Sequence, residues 1–575
     1  MAIFSPSESP AVTFREVDLT SVVRNAQSST GAFVGNFRWG PVRERIDIAD
    51  EAELASTFGA PNASTTVDYH TAAMFLRYSQ DLLVVRNIDS SAKNSYSASE
   101  GASAPTITNR DNFDDQASAI DSDGHTWIAR YPGDLGNSLK VEMCPFDSGD
   151  STYTAWTYKN EFDAAPGTSS FASGKSASND EVHVAVIDED GTITGAAGTV
   201  LERFPFVSLA SDAKTSDGST NYVKDVVNSR SQWVWMGGFD SDFTAAGAGT
   251  PAATAGNFVT VTPAVKSTSL SAGVASGSLS PSQTIAGFDL FEDVNTVQVD
   301  FLIAPSSTSR TDHTTIVNDL VSIAQLTRKD CVVVASPVRS DVVSATTPVT
   351  NILATADTFT KSSYLVTDNN YLKIYDKHND TYIWVPASSS TAGIMAASDV
   401  NAAPWFSPAG TRRGQYLGIT SLAYSPNKSD RDQLYRAGVN PISNIPGYGV
   451  LLYGDKTMLA RPSAFDRINV RRLFLVVERA IADAARNVIF EFNDEFTRAE
   501  FVNIVEPFLR EIQGRRGITD FRVVCDETNN TPAVIDRNEF KADIFIKPAR
   551  SINYVTLNFV AVRTGVDFEE VVGTV

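Results

Sequence analysis

The sequence lacks the patterns that mark membrane, secreted and disulfide-bonded proteins. Its 575 residues contain no run of about 18 apolar side chains, so we expect no transmembrane helix. The beginning, MAIFSPSESPAVTFREVD, has no basic stretch followed by a long apolar run, which predicts that no secretory signal is present. The cysteines are Cys144, Cys331 and Cys525, and their odd number and wide spacing predict reduced thiols rather than a metal or redox motif.

Sequence motifs of catalysis and of metal binding are also absent. The histidines lie far apart, and none is spaced from a cysteine or carboxylate as metal ligands are; they are His70, His125, His183, His313 and His378. The sequence contains no nucleophile elbow. We therefore predict that the protein is not an enzyme, that it binds no metal and no cofactor, and that each histidine is a surface or packing residue.

Two kinds of segment come close to ligand-binding motifs without matching them. GVLLYGDKT (449–457) resembles a nucleotide-binding P-loop, but the inserted Asp455 puts a carboxylate where a phosphate would lie, which favours a turn after a strand. DSDG (121–124) and DEDG (188–191) lack the rest of a calcium-binding loop. Because DEDG lies between alternating segments, it predicts a tight hairpin.

The charge is strongly negative and unevenly distributed. The net charge is −21, which argues against nucleic acid as a partner, because phosphate binding needs local positive charge. Residues 403–575 carry 22 basic and 21 acidic side chains, and the preceding 402 residues carry 25 and 47. Of the 22 basic residues, 18 are arginine, which suits bidentate pairs at interfaces; a well-paired solvent-exposed surface explains the same composition.

Strand and helix patterns alternate at the start of the chain and again from about residue 290. TGAFVGNF and DLLVVRNI are typical of strands, and ADEAELASTFG and HTAAMFLRYSQ of helices. VNTVQVDFLIAP, DHTTIVNDLVSIAQLTRK and DCVVVASP predict strand, helix and strand, which favours a right-handed crossover in a parallel sheet. Residues 91–290 are rich in Ser, Thr, Ala, Gly and Asp, and HTWIARYPG, SLKVEMCPF, STYTAWTY and EVHVAVIDEDGTITG predict a β-rich insertion.

The last third has the clearest helices and ends in strand sequence. FDRINVRRLFLVVERAIADAARNV has one apolar face, and FEFNDEFTRAEFVNIVEPFLREIQG predicts a second helix that begins with a capping box of Thr497 and Glu500. We expect Asp494 to serve the positive end of that helix and Pro507 to kink it. At the end of the chain, Val555, Leu557, Phe559 and Ala561 alternate with their neighbours as in a half-buried strand.

Together these patterns predict a multidomain α+β and α/β protein, with a C-terminal α/β core domain and a middle α/β domain that carries inserted β-rich outer domains. The expected parts are an N-terminal extended arm (1–20), the middle domain (21–95 with 201–240 and 286–400), an inserted β-rich domain (96–200), a Ser/Ala/Gly-rich hairpin or loop (241–285), a C-terminal domain (401–550) and a C-terminal strand arm (551–575).

Much of the chain resembles the tail sheath proteins of contractile-tailed bacteriophages. The resemblance covers about two-thirds of the residues, with 145–200 and 241–285 outside it, and its segments include STGAFVGNFRWGPV, ARYPGDLGNSLKVEM, APWFSPAGTRRGQYLGI, FDRINVRRLFLVVERAI and ADIFIKPARSINYVTLNF. It implies a sheath subunit that forms stacked rings around a tail tube and contracts to drive the tube through the host envelope. In that family GYGVLLYGDKT is a structural strand and turn.

The resemblance also implies interaction partners and a localisation. We expect a helical homo-oligomer that contacts the tail tube, baseplate and tail terminator proteins, without direct nucleic-acid contact or membrane insertion. The protein would be part of the virion, in the phage tail, after assembly in the host bacterial cytoplasm. The contraction energy would be stored in the extended sheath, so no nucleotide is needed.

Two sets of residues follow from the resemblance as site candidates. In such sheaths both chain ends leave their subunit and add as strands to a neighbour's sheet, which here assigns residues 3–20 and 551–571 to the exchange. The strand residues concerned are Val12, Phe14, Val17, Val555, Leu557, Phe559 and Ala561. For contact with the tube, the candidates are the arginines of the TRAEFVNIVEPFLREIQGRRG helix and its end, Arg498, Arg510, Arg515 and Arg516. An ordinary solvated helix end is the alternative explanation of these charges.

The sequence leaves three alternative functions open. The first is the sheath of a tailocin or another contractile injection system, which the sequence does not distinguish from a phage. The second is a self-associating surface or adhesive protein that uses the Ser/Thr-rich β segments. The third is an enzyme whose active-site residues are scattered in sequence.

Overall fold

The computed structural model describes residues 29–98, 103–259 and 263–553, which fall into two compact units. The larger unit contains the described residues up to Pro404 and residues 408–478, and the smaller unit contains residues 405–407 and 479–553. All seven predicted strand-exchange residues, from Val12 to Val17 and from Val555 to Ala561, lie outside the described residues.

The strands of the described residues are, in chain order, β1 (Gly31–Gly35), β2 (Arg45–Ile48), β3 (Leu82–Arg86), β4 (Tyr96–Ala98), β5 (His125–Ala129), β6 (Leu139–Pro145), β7 (Glu181–Asp188), β8 (Thr199–Ser208), β9 (Val234–Met236), β10 (Lys266–Ser269), β11 (Phe301–Ile303), β12 (Val332–Ala335), β13 (Leu365–Asp368), β14 (Tyr371–Asp376), β15 (Thr381–Pro386), β16 (Ser421–Leu422), β17 (Val439–Asn440), β18 (Ile442–Ile445), β19 (Gly449–Leu452), β20 (Ile518–Val524) and β21 (Asp543–Pro548). The α-helices are α1 (Glu51–Phe58), α2 (Thr66–Leu76), α3 (Arg110–Asp115), α4 (Ala117–Ser122), α5 (Ser151–Ala155), α6 (Ser170–Gly174), α7 (Val223–Arg230), α8 (Ser241–Ala245), α9 (Ala252–Ala255), α10 (Pro281–Phe288), α11 (Arg310–Ser322), α12 (Arg339–Val342), α13 (Pro348–Ala356), α14 (Ser388–Asn401), α15 (Lys428–Arg436), α16 (Ile468–Ala485), α17 (Glu495–Gly514) and α18 (Pro532–Ile535).

A seven-stranded sheet forms the centre of the larger unit. Its order is β17-β13-β12-β11-β1-β3-β2, and all neighbours are parallel except β2 and β3. Successive residues of β1 face opposite layers: Ala32 and Val34 pack with helices α10 and α11, whereas Phe33 packs with α1, α2 and α14. Both faces are therefore covered, which is why the strands are runs of apolar residues. The predicted parallel pair of β11 and β12, with α11 between them in sequence, is confirmed.

The inserted segment folds into two antiparallel sheets of its own. One has the order β4-β5-β9 and the other β10-β6-β7-β8. These pairings join β8, β9 and β10 to the inserted segment, whereas the sequence analysis placed residues 201–240 in the middle α/β domain. Residues 241–285, expected to be a hairpin or loop, contribute helices α8 and α9, strand β10 and the start of α10.

Local polar contacts change two of the predictions made for this segment. STYTAWTY was expected to be a strand, but it contains helix α5, because the Asp147 carboxylate accepts hydrogen bonds from the backbone N–H and side-chain hydroxyl of Thr152 at 3.1 Å. The hairpin of β7 and β8 is confirmed, but its turn is not tight. Residues 189–198 form a loop in which the Asp188 side chain accepts hydrogen bonds from the backbone N–H groups of Ile193 and Thr194.

The P-loop-like segment is structural, as predicted. It supplies strand β19, after which Asp455 is buried and pairs with Arg467 at 3.0 Å. The backbone N–H of Lys456 donates to the Asn440 side chain at 2.7 Å, so this turn is held against the end of β17.

Candidate interaction site

The smaller unit is built around helix α17, which carries the four arginine candidates. The helix begins one residue after Asp494, whose side chain accepts a hydrogen bond from the Thr497 backbone N–H at 2.8 Å. The predicted capping box of Thr497 and Glu500 is therefore wrong, because an aspartate three residues earlier already caps the helix. The helix continues through Pro507. Its apolar stripe is buried at Phe501, Val505, Phe508, Leu509 and Ile512.

Arg498 lies on the buried side of this helix. It is only 7% exposed, and its Nη1 donates a hydrogen bond to the Asn493 side-chain oxygen at 3.1 Å. Its position follows from spacing, since Arg498 precedes Phe501 and Val505 by three and seven residues and so shares their stripe. Arg498 is therefore not on the exposed surface that carries the other three candidates. The helical periodicity of the sequence would have predicted its burial.

The other three arginines are exposed at the C-terminal end of the helix. Arg510 pairs with Glu506 at 3.5 Å and Arg515 with Glu511 at 3.6 Å, each across one turn. The Arg516 backbone adopts a left-handed conformation with φ of 67°. The exposed ion pairs contribute little to stability, so these guanidinium groups can exchange partners at low cost.

A two-stranded sheet completes the smaller unit. Strands β20 and β21 are antiparallel, and among the described residues they pair only with each other. Each strand therefore has one edge of backbone N–H and C=O groups beside which no strand of residues 29–98, 103–259 or 263–553 lies. A sheet of two strands with open edges is a template for pairing with another chain.

The segment that joins α16 to α17 exposes large apolar side chains, which the sequence analysis did not identify. The exposed fractions are 57% for Ile489, 102% for Phe490, 84% for Phe492 and 76% for Phe496. Phe490 also has a positive φ of 75°, which is rare outside glycine. The alternation of aromatic and acidic residues in FEFNDEF is the sequence feature that could have predicted this exposure. Contiguous exposed apolar surface of this kind marks sites of protein contact. We call residues 489–496 the aromatic segment.

The buried histidines lie against hydrogen-bonding or charged partners, and one of these, His70, has its Nε2 3.1 Å from the Asp376 carboxylate. His313 is buried and its Nε2 lies 2.7 Å from the Ser336 carbonyl oxygen, while His183 Nε2 lies 2.8 Å from the Ala164 carbonyl oxygen. Burial lowers the pKa of both, to about 4 for His313. In the part of the chain that the structure describes, no group of three or more His, Cys, Asp and Glu side chains is arranged to hold a metal ion. None of the helices in those residues combines the length and the apolar composition of a transmembrane segment.

Comparisons with known proteins place the similarity along the whole chain. Residues 281–458 match the family described as the phage tail sheath protein central domain, and residues 460–561 match the phage tail sheath C-terminal domain. The tail sheath protein of Vibrio phage KVP40 is 31% identical over 98% of this chain and 99% of its own. That of Enterobacteria phage T4 is 32% identical over the same shares. The crystal structure of a sheath tail protein from Listeria innocua has the same fold, with a TM-score of 0.52 and 13% identity over 91% of this chain and 96% of that one.

Proposed function

The chain belongs to the phage tail sheath protein family, and from that premise we propose that it is the structural subunit of a contractile phage tail sheath. Copies of it would polymerise as stacked rings around the tail tube and contract to drive the tube through the host envelope. The observation that carries this proposal is identity above 30% with phage sheath proteins along almost the full length of both chains. These relatives come from phages, which favours a phage tail over a tailocin or another injection system.

The partners follow from this role. The sheath would contact the tube along its inner side and the baseplate and tail terminator at its ends, and it would become part of the virion after assembly in the host cytoplasm. No catalytic step is required, because contraction releases free energy stored in the extended lattice.

Strand exchange between copies would hold the lattice together. The open edges of β20 and β21 support this part of the proposal, because each edge can accept a strand from another copy. Residues 3–20 and 551–571 are the strands that we expect to be donated. Such a contact joins two different surfaces of identical chains, and repeating it generates a helical assembly.

Contact with the tube would use the exposed end of α17. Arg510, Arg515 and Arg516 present positive charge there, and Arg510 and Arg515 form only exposed ion pairs with Glu506 and Glu511. Arg498, being buried beside Asn493, would position the start of the helix rather than touch the tube. Contacts of moderate strength suit a sheath that must release the tube when it contracts.

Electron microscopy of the purified full-length protein tests the proposal. Hollow striated tubes, wide enough to surround a tail tube, are the expected result. If the protein stays a uniform monomer, the cognate tube is added. Failure to coat that tube would overturn the proposed function, whereas coating would show that assembly needs the tube as a template.

A further inference from the structure

A basic cavity opens on the larger unit. Its volume is about 460 Å³, and its polar lining comes from the segment before β13, the segment before α16, the first turn of α16 and Gln325 in the helical stretch after α11. The residues that matter here are Lys361, Ser363, Tyr364, Arg461 and Arg471. We call this cavity the basic pocket.

Arg471 is a buried cation whose charge is not neutralised by contact with an acid. The residue is 8% exposed, and its guanidinium lies between the rings of Tyr364 and Phe465, 4.3 and 4.2 Å from their centroids. The Nη2 of Arg471 donates a hydrogen bond to the Ser363 hydroxyl at 2.6 Å, while its Nε has no hydrogen-bond partner among the described residues. Within the described residues, no carboxylate oxygen lies within 4.0 Å of this guanidinium.

The two other cations leave the pocket positive. Arg461 is exposed and forms no ion pair with the described residues. Lys361 donates to the Ala356 carbonyl oxygen at 2.6 Å and lies 3.6 Å from Asp357, a carboxylate that is itself 77% exposed. Glu478 acts on Arg471 only from beyond contact distance, and burial, the larger effect, lowers the pKa of Arg471. A buried cation without a bonded acid is costly, so an anion that enters this pocket gains charge-assisted hydrogen bonds.

We propose that the basic pocket binds a carboxylate side chain presented by a second copy of this chain. The acidic excess of the sequence supports this occupant, because residues 1–402 carry 47 acidic against 25 basic side chains. In a polymer, neighbouring copies also hold such side chains at a high effective concentration, which favours them over free anions. The inference rests on the proposed function, since only an assembled sheath brings a second copy to the pocket.

The first test uses the unassembled full-length protein and inorganic phosphate as the probe. Phosphate is titrated calorimetrically into the wild type, into the double variant Lys361→Gln/Arg461→Gln and into the control Lys214→Gln, an exposed lysine of the inserted segment. We expect phosphate affinity to fall at least about tenfold in the double variant and to stay unchanged in the control. Equal phosphate binding by all three proteins, or none by any, would overturn the pocket as an anion site, whether or not the protein forms tubes.

The second test identifies the occupant in the assembled protein. Cryo-electron microscopy of the tubes should show a carboxylate from a neighbouring copy within about 4 Å of Arg461 or Arg471. The double variant should enter wild-type tubes less efficiently than the Lys214→Gln control. A pocket that binds phosphate but is empty or holds a free ion in the tubes would overturn the second copy as the occupant. Absence of tubes and of tube coating would instead contradict the proposed function, and the phosphate titration would still decide the site.

Discussion

The indole nitrogen of Trp405 donates a hydrogen bond to the backbone carbonyl oxygen of Arg515 at 3.1 Å. The Arg515 guanidinium also lies 5.1 Å from the centroid of the same indole ring. Trp405 is 5% exposed and belongs to the smaller unit although it is distant from the rest of that unit in sequence. Trp405 therefore helps to hold the C-terminal end of α17, the end that carries the exposed arginines.

Replacing Trp405 should loosen this end of the helix in two steps. Trp405→Phe removes the N–H donor and should cost about 1 kcal/mol, whereas Trp405→Ala also removes the buried ring and should cost about 3–5 kcal/mol. Hydrogen exchange of the amides of Arg515 and its neighbours measures both effects. Exchange rates in Trp405→Ala equal to those of the wild type would contradict the role given to this contact.

The carboxyl group of Asp368 should make the larger unit less stable as pH rises. It accepts hydrogen bonds from the Ser336 hydroxyl at 2.8 and 3.0 Å and from the Thr391 hydroxyl at 3.1 Å, but burial is the larger effect and raises its pKa to about 7. Because the unfolded chain releases this proton at about pH 4, the folded state binds more protons between about pH 4 and 7. The Asp368 contribution therefore favours folding at low pH and is lost as pH rises toward 7.

Asp368→Asn isolates this effect from other carboxyl groups. Over that pH range we expect the wild type to lose up to about 1.4 kcal/mol per pH unit relative to the variant. Hydrogen exchange of the β13 amides, measured in both proteins from pH 5 to 8 and corrected for the intrinsic pH dependence of exchange, supplies the comparison. Parallel stability profiles for the two proteins would contradict the prediction.

Charge reversal at the exposed end of α17 should weaken binding to the tube. Arg510→Glu places two acidic residues one helical turn apart, next to Glu506, and single exposed ion pairs are worth about 0–1 kcal/mol, so we expect up to about a fivefold loss of co-sedimentation with tube at low salt. The effect should shrink as salt rises. Arg537→Glu is the matched control, because Arg537 is also exposed, also paired with a glutamate and in the same unit, but outside α17. Equal losses in both variants would show that the position on α17 is irrelevant.

The exposed phenylalanine rings of the aromatic segment should be dispensable for folding and needed for assembly. Phe490→Ser and Phe492→Ser remove exposed rings, so the stability of the isolated protein should change by no more than about 0.5 kcal/mol. If the segment is covered in the polymer, the same variants should lower the yield of tubes. Phe501→Ser, a change at a buried position of α17, serves as the comparison and should destabilise the smaller unit. Normal tube yield from the exposed-site variants would exclude the segment from the contacts.

Elements whose pattern is local could be predicted from the sequence. Helices α16 and α17 follow from apolar periodicity, and the apolar runs of β11 and β12 predicted a parallel pair that the structure confirms. Features that depend on distant partners were not predictable in this way. The pairing of β10 with β6 joins residues more than a hundred positions apart, and no local pattern encodes it.

In the candidate site, too, local features could be predicted and contacts between distant residues could not. The sequence analysis named all four arginines of α17 as candidates for contact with the tube, a role that requires exposed side chains. Arg498 is buried because helical geometry places it on the apolar stripe, where Asn493 accepts its hydrogen bond. The contact of the Arg471 guanidinium with two aromatic rings was not predictable from local sequence, because Tyr364 and Phe465 belong to separate segments of the chain.

Removing either chain end should abolish assembly without unfolding the subunit. Proteins that lack residues 3–20 or 551–571 should remain soluble monomers, because the donated strands are expected to pair with another copy rather than with their own. Size-exclusion chromatography and electron microscopy measure the two properties. Tubes formed by either truncated protein would contradict strand exchange.

Single prolines give a sharper form of this test. In a strand added to a sheet edge, alternate backbone N–H groups point to the accepting strand, so proline should be disruptive at one parity and tolerated at the other. Leu557→Pro and Asn558→Pro occupy neighbouring positions of opposite parity in the expected C-terminal strand. We expect one of the two to prevent tube formation and the other to permit it, with both proteins folded as monomers. Tube formation by both would mean that the backbone hydrogen bonds of residues 557 and 558 do not join the copies, and strand addition at the edges of β20 and β21 would then have to be abandoned for this arm.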